Sequence, residues 1–199
     1  MELENLVQAV TDSLFVELEA SGRHVHVTGE QAMTLFGHPL TPARPLSQPG
    51  QFLARERVTL VGEKGEFRDV AVLGPERREG QVEISLTDGR VLGIAPPVRL
   101  SGDVEGTPGI VLLGSNGRVE LTQGVIAAKR HIHLTPWAAA HFGVKNGENV
   151  KLKALTRRPV IFEDVSVRVS EQFAPFAHLD YDEANACGFC RGDLGRILK

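Results

Sequence analysis

The feature that most constrains this 199-residue chain is that it repeats itself. Arg23-His24-Val25-His26-Val27-Thr28 recurs as Arg130-His131-Ile132-His133-Leu134-Thr135. Beyond each copy, Ala32 and Phe36-Gly37 answer to Ala139 and Phe142-Gly143, with one residue of slippage. Phe67-Arg68-Asp69-Val70-Ala71-Val72 then recurs as Phe162-Glu163-Asp164-Val165-Ser166-Val167, and Asp88 and Gly93 fall in step with Glu183 and Gly188. Chance readily produces one such match but hardly three in the same order. The chain therefore reads as two homologous halves, each a small β-rich unit.

Hydrophobic patterning fills these units mostly with strands. Phe15 to Glu19 begins one, Arg57 to Val61 forms another, and Phe67 to Leu73 alternates with Val70 and Val72 on one face. Val82 to Leu86 reads as a strand running into a turn at Asp88-Gly89. Ile110 to Leu113 and Val119 to Leu121 flank a turn at Asn116-Gly117, and Asn149 to Leu155 and Pro159 to Val169 add more. Helices are few and short: Gly29 to Phe36, Pro136 to Phe142 behind a Thr135 cap, and Asp182 to Ala186. Many short strands with turn signals indicate an all-β barrel or sandwich architecture.

A His-x-His segment on a strand puts both imidazoles on one face, because strand side chains alternate with period two. Two such pairs at matching places in a repeat, each preceded by arginine, point to metal. The repeat also nominates a third ligand in each half: Glu83 follows Phe67, and His178 follows Phe162, by the same step of 16 residues. The candidate sets are His24, His26 and Glu83, then His131, His133 and His178. Three nitrogen or oxygen ligands with an open position is the pattern of catalytic zinc, although imidazole also suits iron, copper, cobalt or nickel.

Arginines near these ligands suggest an anionic substrate, since a guanidinium grips phosphate in a planar, two-pronged contact. Arg77 and Arg78 come just before the Glu83 strand; Arg78 is read as a solvated surface charge. Arg23 and Arg130 precede the histidine pairs but with the opposite side-chain parity. Cys187-Gly188-Phe189-Cys190 lacks both the βαβ setting of a redox motif and the further cysteines of a zinc site, so no catalytic role is assigned to it. His38 and His141 have no partner motif and read as surface or cap residues.

Composition removes several function classes. A formal net charge of -3 gives no basic excess for nucleic acid or an acidic membrane surface. One Trp, one Tyr and nine Phe are too few for a base-stacking platform. No apolar run approaches the ~18 residues of a membrane span, and no secretory signal is visible. Only two cysteines exclude a disulfide framework and suit a reducing compartment. Residues 1–14 stand apart: Leu3, Leu6, Val7, Val10 and Leu14 form one apolar stripe at helical spacing. They read either as a helix docked on its own domain or as a short amphipathic tag for another protein.

Taken together, the chain resembles the PduL family of phosphate propanoyltransferases, the phosphotransacylases of bacterial microcompartments. The resembling stretches are Gly22 to His26, Leu46 to Phe52, Val58 to Gly62, Gln81 to Ser85, Lys129 to His133 and Asp182 to Ala186. The resemblance covers nearly the whole chain from Val16 onward. It implies two β-barrels, with the first strand joining the C-terminal one, so that 15–22 plus 129–199 form one barrel and 23–128 the other. It implies two zinc ions per chain on the six ligands above, coenzyme A and phosphate as substrates, and Arg77 as the phosphate contact. It also implies that residues 1–14 are an encapsulation tag for shell proteins, placing the enzyme in the microcompartment lumen, with the cytoplasm as the alternative. A homo-oligomer is allowed. Gly22 stands where the family has asparagine, and Phe176-Ala177 lacks the family's glutamate-methionine before the histidine; neither is a proposed ligand.

The expected reaction is reversible transfer of a short acyl group, propanoyl or acetyl, between CoA and phosphate, without a covalent acyl-enzyme. A zinc hydrolase of acyl-CoA or acyl phosphate would use the same ligands, and phosphate dependence separates the two. A non-catalytic metal-stabilised binding module is the third reading and predicts closed coordination with no CoA affinity.

Overall fold

The computed structural model describes Thr11 and residues 14–199, so the stripe on residues 1–14 lies, apart from Leu14, outside the described residues. The chain divides into two compact units, the first holding the strand before Gly22 together with Lys129–Lys199, the second Gly22–Ala128. The strands before Lys129 are β1 (Val16–Ser21), β2 (His24–His26), β3 (Pro42–Pro45), β4 (Phe52–Val61), β5 (Glu66–Gly74), β6 (Gln81–Glu83), β7 (Val98–Arg99), β8 (Ile110–Leu113), β9 (Arg118–Leu121) and β10 (Val125–Ala128). Those after it are β11 (His131–Leu134), β12 (Asn149–Leu155), β13 (Val160–Val169), β14 (Phe176–Asp180) and β15 (Leu194–Leu198). Four short helices complete the described chain: α1 (Gly29–Phe36), α2 (Leu86–Leu92), α3 (Pro136–Phe142) and α4 (Tyr181–Cys187).

The first unit is a closed barrel in the order β1-β14-β11-β13-β12-β15. The second is an open sheet in the order β7-β10-β6-β2-β5-β4-β8-β9, with β3 paired to β4. Each unit has its own apolar core, one around Val16, Leu18, Ile132, Leu152 and Leu179, the other around Val25, Leu35, Leu60, Val72 and Leu112. The fold is all-β with a few short helices, and β1 joins the C-terminal barrel.

The two halves exchange a strand. β1 precedes the first His-x-His strand in sequence but pairs in parallel with β14, from Glu17 opposite Phe176 to Ser21 opposite Asp180. β10 precedes the second His-x-His strand but pairs in parallel with β6, Ile126 opposite Glu83. Within each unit the His-x-His strand occupies the same place: β2 lies between parallel β5 and antiparallel β6, and β11 between parallel β13 and antiparallel β14.

The repeat extends to a bulge. Val58 faces Val70 and Leu60 faces Phe67, so Arg68 and Asp69 together oppose Thr59. Val150 faces Val165 and Leu152 faces Phe162, which leaves Glu163 and Asp164 opposite Lys151. Asp69 and Asp164 sit at φ of 55° and 54°, the left-handed region that aspartate tolerates better than most residues. A bulge at this point bends the strand and raises its twist, which curves the sheet.

Capping explains the helices, and one expected turn is absent. Thr28 and Thr135 cap α1 and α3, directly after the two His-x-His strands; of these the sequence announces the Thr135 cap. Asp88-Gly89, expected as a hairpin turn, lies inside α2. Ser85 accepts a bond from the Asp88 amide while the Asp88 carboxylate accepts one from Ser85, closing a capping box that starts a helix instead. Asp180 and Glu183 do the same for α4. No helix among the described residues is long and apolar enough to cross a membrane.

Candidate metal centres

Why these strands present histidines follows from their middle residues. Val25 and Ile132 are fully buried in the two cores, so alternation turns the flanking imidazoles to the opposite face. Register then supplies the third group. His24 faces Glu83 across β2 and β6, and His131 faces His178 across β11 and β14. In each set the candidate donor atoms all lie within 4.8 Å of one another. Five of the six side chains are buried and His178 is half-buried.

The first cluster aims its imidazoles at a carboxylate. His24 Nε2 lies 3.6 Å from Glu83 Oε2, and His26 Nε2 lies 3.9 Å from Glu83 Oε1. The other ring nitrogens face carbonyls: His24 Nδ1 is 2.8 Å from Gly22 O, and His26 Nδ1 is 3.2 Å from Leu73 O. A carbonyl only accepts, so each Nδ1 carries a proton and Nε2 keeps a lone pair for a metal. His131 repeats this, its Nδ1 2.8 Å from Lys129 O. His178 Nδ1 lies 3.4 Å from Glu19 Oε2. The exchange of β1 delivers that carboxylate, since Glu19 faces His178 in register.

Charge states fit a cation in the first cluster. Burial works to raise Glu83, but His24, by charge and hydrogen bond, and His26 overcome it and hold the carboxyl far below its usual range. Burial also works to lower His24, yet Glu83 keeps it above its ordinary value. His26 is held well below it by burial first, then by the charges of His24 and Arg77. An ionised Glu83 beside a neutral His26 is a donor set that could hold a dication in place of the proton on His24.

The second cluster has a more direct mark. His133 is 6% exposed and neither ring nitrogen has a hydrogen-bond partner. Leaving one buried polar group unsatisfied costs about 1–3 kcal/mol, a cost that coordination removes. Burial pushes His133 down to about 3, with the charges of His131 and Arg168 adding to it. A folded pKa below the unfolded value means the unfolded chain binds the extra proton as pH falls. Metal-stripped protein should therefore lose stability from about pH 6.5 downward, on the order of 1–2 kcal/mol from this residue between pH 7 and 5. Urea titrations at the two pH values check this, and His133→Gln should flatten the difference; an equal slope in the variant would refute the assignment.

Arg23 and Arg130 serve the frame. Arg23 forms a two-pronged contact with Asp88, at 2.7 and 3.1 Å, and lies over the Phe67 ring. Arg130 binds Glu183 Oε1 at 2.7 Å and Glu163 O at 2.7 Å. In both halves the arginine before the histidines thus anchors the acidic capping residue of the helix after the third ligand. Arg77 is different: its Nη1 donates to Ser101 Oγ at 3.0 Å, in the network around Glu83, and its charge bears on His24 and His26. Arg78 joins none of these groups. Sequence reasoning missed Glu19, Arg168, Gln81 and Ser101. Arg168 faces His133 in the β13 register. Cys187 is buried on α4, Cys190 is exposed, and both are free thiols. β1 and α4 also border a cleft of about 390 Å³ lined by Ala20, Tyr181, Ala184, Asn185, Gly188 and Phe189.

A family model described as phosphate propanoyltransferase matches residues 17–190, which takes in both clusters. The chain belongs to the phosphate propanoyltransferase family. A protein of that name from Enterococcus faecalis is 54% identical over 185 residues, 92% of this chain and 88% of the relative. Those from Clostridioides difficile and Leptotrichia buccalis are 49% and 52% identical, covering 99% and 100% of this chain and 95% and 94% of the relatives. As a member of this family the chain is an acyltransferase of the phosphotransacylase type.

Proposed function

We propose that the enzyme interconverts a short-chain acyl-CoA and phosphate with an acyl phosphate and CoA, the acyl group being propanoyl, and that it does so with one zinc ion on His24, His26 and Glu83 and another on His131, His133 and His178. The observation that carries this reading is the pair of buried three-donor clusters at matching places in the repeat, one of them tied to an arginine. When bound, zinc supplies a Lewis acid that favours thiolate over thiol near neutral pH and offsets negative charge developing on the acyl group.

The residues themselves do the rest. A phosphate oxygen attacks the thioester carbonyl carbon, the carbon–sulfur bond breaks, and CoA leaves with the electron pair of that bond; nothing is oxidised or reduced. Arg77 orients phosphate by its planar fork and offsets its charge. Gly22 O, Leu73 O and Lys129 O hold the proton on Nδ1 of His24, His26 and His131 and so fix each ring's orientation. Neither donor set contains a cysteine, and the buried Cys187 thiol donates to Ala184 O within its own helix, which supports direct transfer in a ternary complex.

The test is CoA release from propanoyl-CoA, followed with a thiol reagent, with and without phosphate. Release that requires phosphate and stops after chelation, with intersecting initial-rate lines, is the expected result. Release without phosphate would replace this reading with hydrolysis, and parallel lines would place a covalent acyl-enzyme on the path.

A further inference from the structure

The hydrogen bonds around Arg77 form a bridge that the repeat does not account for. Arg77 Nη1 donates to Ser101 Oγ at 3.0 Å, and Gln81 Nε2 donates to the same oxygen at 2.9 Å. Gln81 Nε2 also donates to Glu83 Oε1 at 2.5 Å, and Gln81 Oε1 accepts from Gly102 N at 2.7 Å. Gln81 is 2% exposed, and its side-chain amide bonds Glu83, Ser101 and Gly102. Ser101 adds to the groups that hold Glu83 ionised.

Backbone geometry fixes the hydroxyl. Asp103 N donates to Leu100 O at 2.9 Å, closing a four-residue turn in which Gly102 takes φ of 98°. A type II turn requires positive φ at its third residue, hence glycine there. Arg99 Nη1 and Asp103 Oδ2, 2.9 Å apart, brace its ends. At the other end, Arg77 N donates to Val27 O at 2.8 Å, which ties the arginine to the chain just past the ligand strand β2.

Among the described residues, Gln81 has no counterpart at the second centre. Gln81 faces His26 across β2 and β6; the residue facing His133 across β11 and β14 is Phe176, which can neither donate nor accept. The ligands, the bulge, the capping boxes and the paired arginines are all duplicated, so a structural requirement of the fold would be expected in both halves. The bridge links Arg77, whose charge bears on His24 and His26, with Glu83, the one carboxylate among the six proposed ligands.

We propose that Ser101 and Gln81 are positioning residues that hold the Arg77 guanidinium for a phosphate oxyanion and hold Glu83 in place beside it. The inference rests on the acyltransfer reading above for the identity of the anion. Ser101 contributes through its hydroxyl oxygen, as a neutral acceptor that orients the guanidinium. Gln81 contributes as a neutral spacer that gives one bond to Glu83 and one to Ser101 while the turn fixes its carbonyl.

The test compares Ser101→Ala with Ser101→Thr in the metal-loaded full chain, reading inorganic phosphate affinity by calorimetry, KM for phosphate and for propanoyl-CoA, and bound metal. Loss of an orienting partner outside the first coordination shell typically costs 10–100-fold. Ser101→Ala should weaken phosphate binding and raise its KM by roughly 10-fold or more, leave KM for propanoyl-CoA and bound metal near wild type, and be restored by Thr. Unchanged phosphate affinity in Ser101→Ala overturns the inference, as does an equal rise in both KM values or a failure of Thr to restore it. If wild-type release ignores phosphate, the acyltransfer reading falls instead. Calorimetry then still decides whether Ser101 controls anion binding.

Discussion

Replacing His131 with Ala should remove one of the two proposed metal ions and lower phosphate-dependent turnover by more than about 100-fold, since even outer-shell changes at metal sites cost 10–100-fold. His131 is the hinge of its cluster. Its ring stacks on His178 with centroids 5.0 Å apart and lies 4.7 Å from the ring of His133. Its Nδ1 faces Lys129 O, so its Nε2 is the available donor. Removing it leaves His133 and His178, two ligands where catalytic zinc takes three. Elemental analysis of the purified variant would read the loss directly. Thermal unfolding of metal-free wild type and variant separates it from a packing defect, because the two should unfold at similar temperatures without metal, while added zinc should raise the midpoint of wild type more. Unchanged metal content and unchanged turnover would remove His131 from the ligand set.

How much of this was legible beforehand depended on whether a feature was duplicated. Glu83 and His178 were readable as third ligands because they follow Phe67 and Phe162 by the same 16 residues, and the register places them directly across from His24 and His131. The paired Asp88 and Glu183, and Gly93 and Gly188, were visible as matches whose meaning was not: they are helix-capping carboxylates and the glycines that end those helices at φ of 76° and 64°. The Asp88-Gly89 dipeptide misled because a two-residue turn signal takes no account of Ser85 three residues earlier, whose capping box starts a helix.

Other features were beyond a local reading. β14 buries only Ala177 and Leu179, too short an apolar alternation to announce a strand; its pairing with β1 and β11 makes it one. Glu19 reaches His178 through the strand exchange, which depends on how the two halves close and not on any nearby spacing. Gln81 and Ser101 are separated by 20 residues and have no counterpart in the other half, so neither periodicity nor repetition marks them. What the repeat preserves is the pair of candidate donor sets and their frame. What differs between the halves is the hydrogen-bonded link from the third ligand position toward Arg77.

That asymmetry sets the expectation for Arg77. Arg77→Met should lower kcat/KM for phosphate by roughly 100–1000-fold, equivalent to about 3–4 kcal/mol of transition-state stabilisation. Arg77→Lys should recover only part of this, because an ammonium supplies the charge but not the planar two-pronged contact. It also changes the donor that Ser101 accepts from. Metal retention separates this outcome from misfolding. The guanidinium's charge disfavours positive charge on both His24 and His26, so removing it should leave metal at the first centre bound as well as or better than in wild type. Chelator competition measures that affinity. A variant with weaker metal binding, or with equal losses toward phosphate and propanoyl-CoA, would make Arg77 a support of the cage. Loss confined to phosphate with metal retained would make it the group that receives the anion.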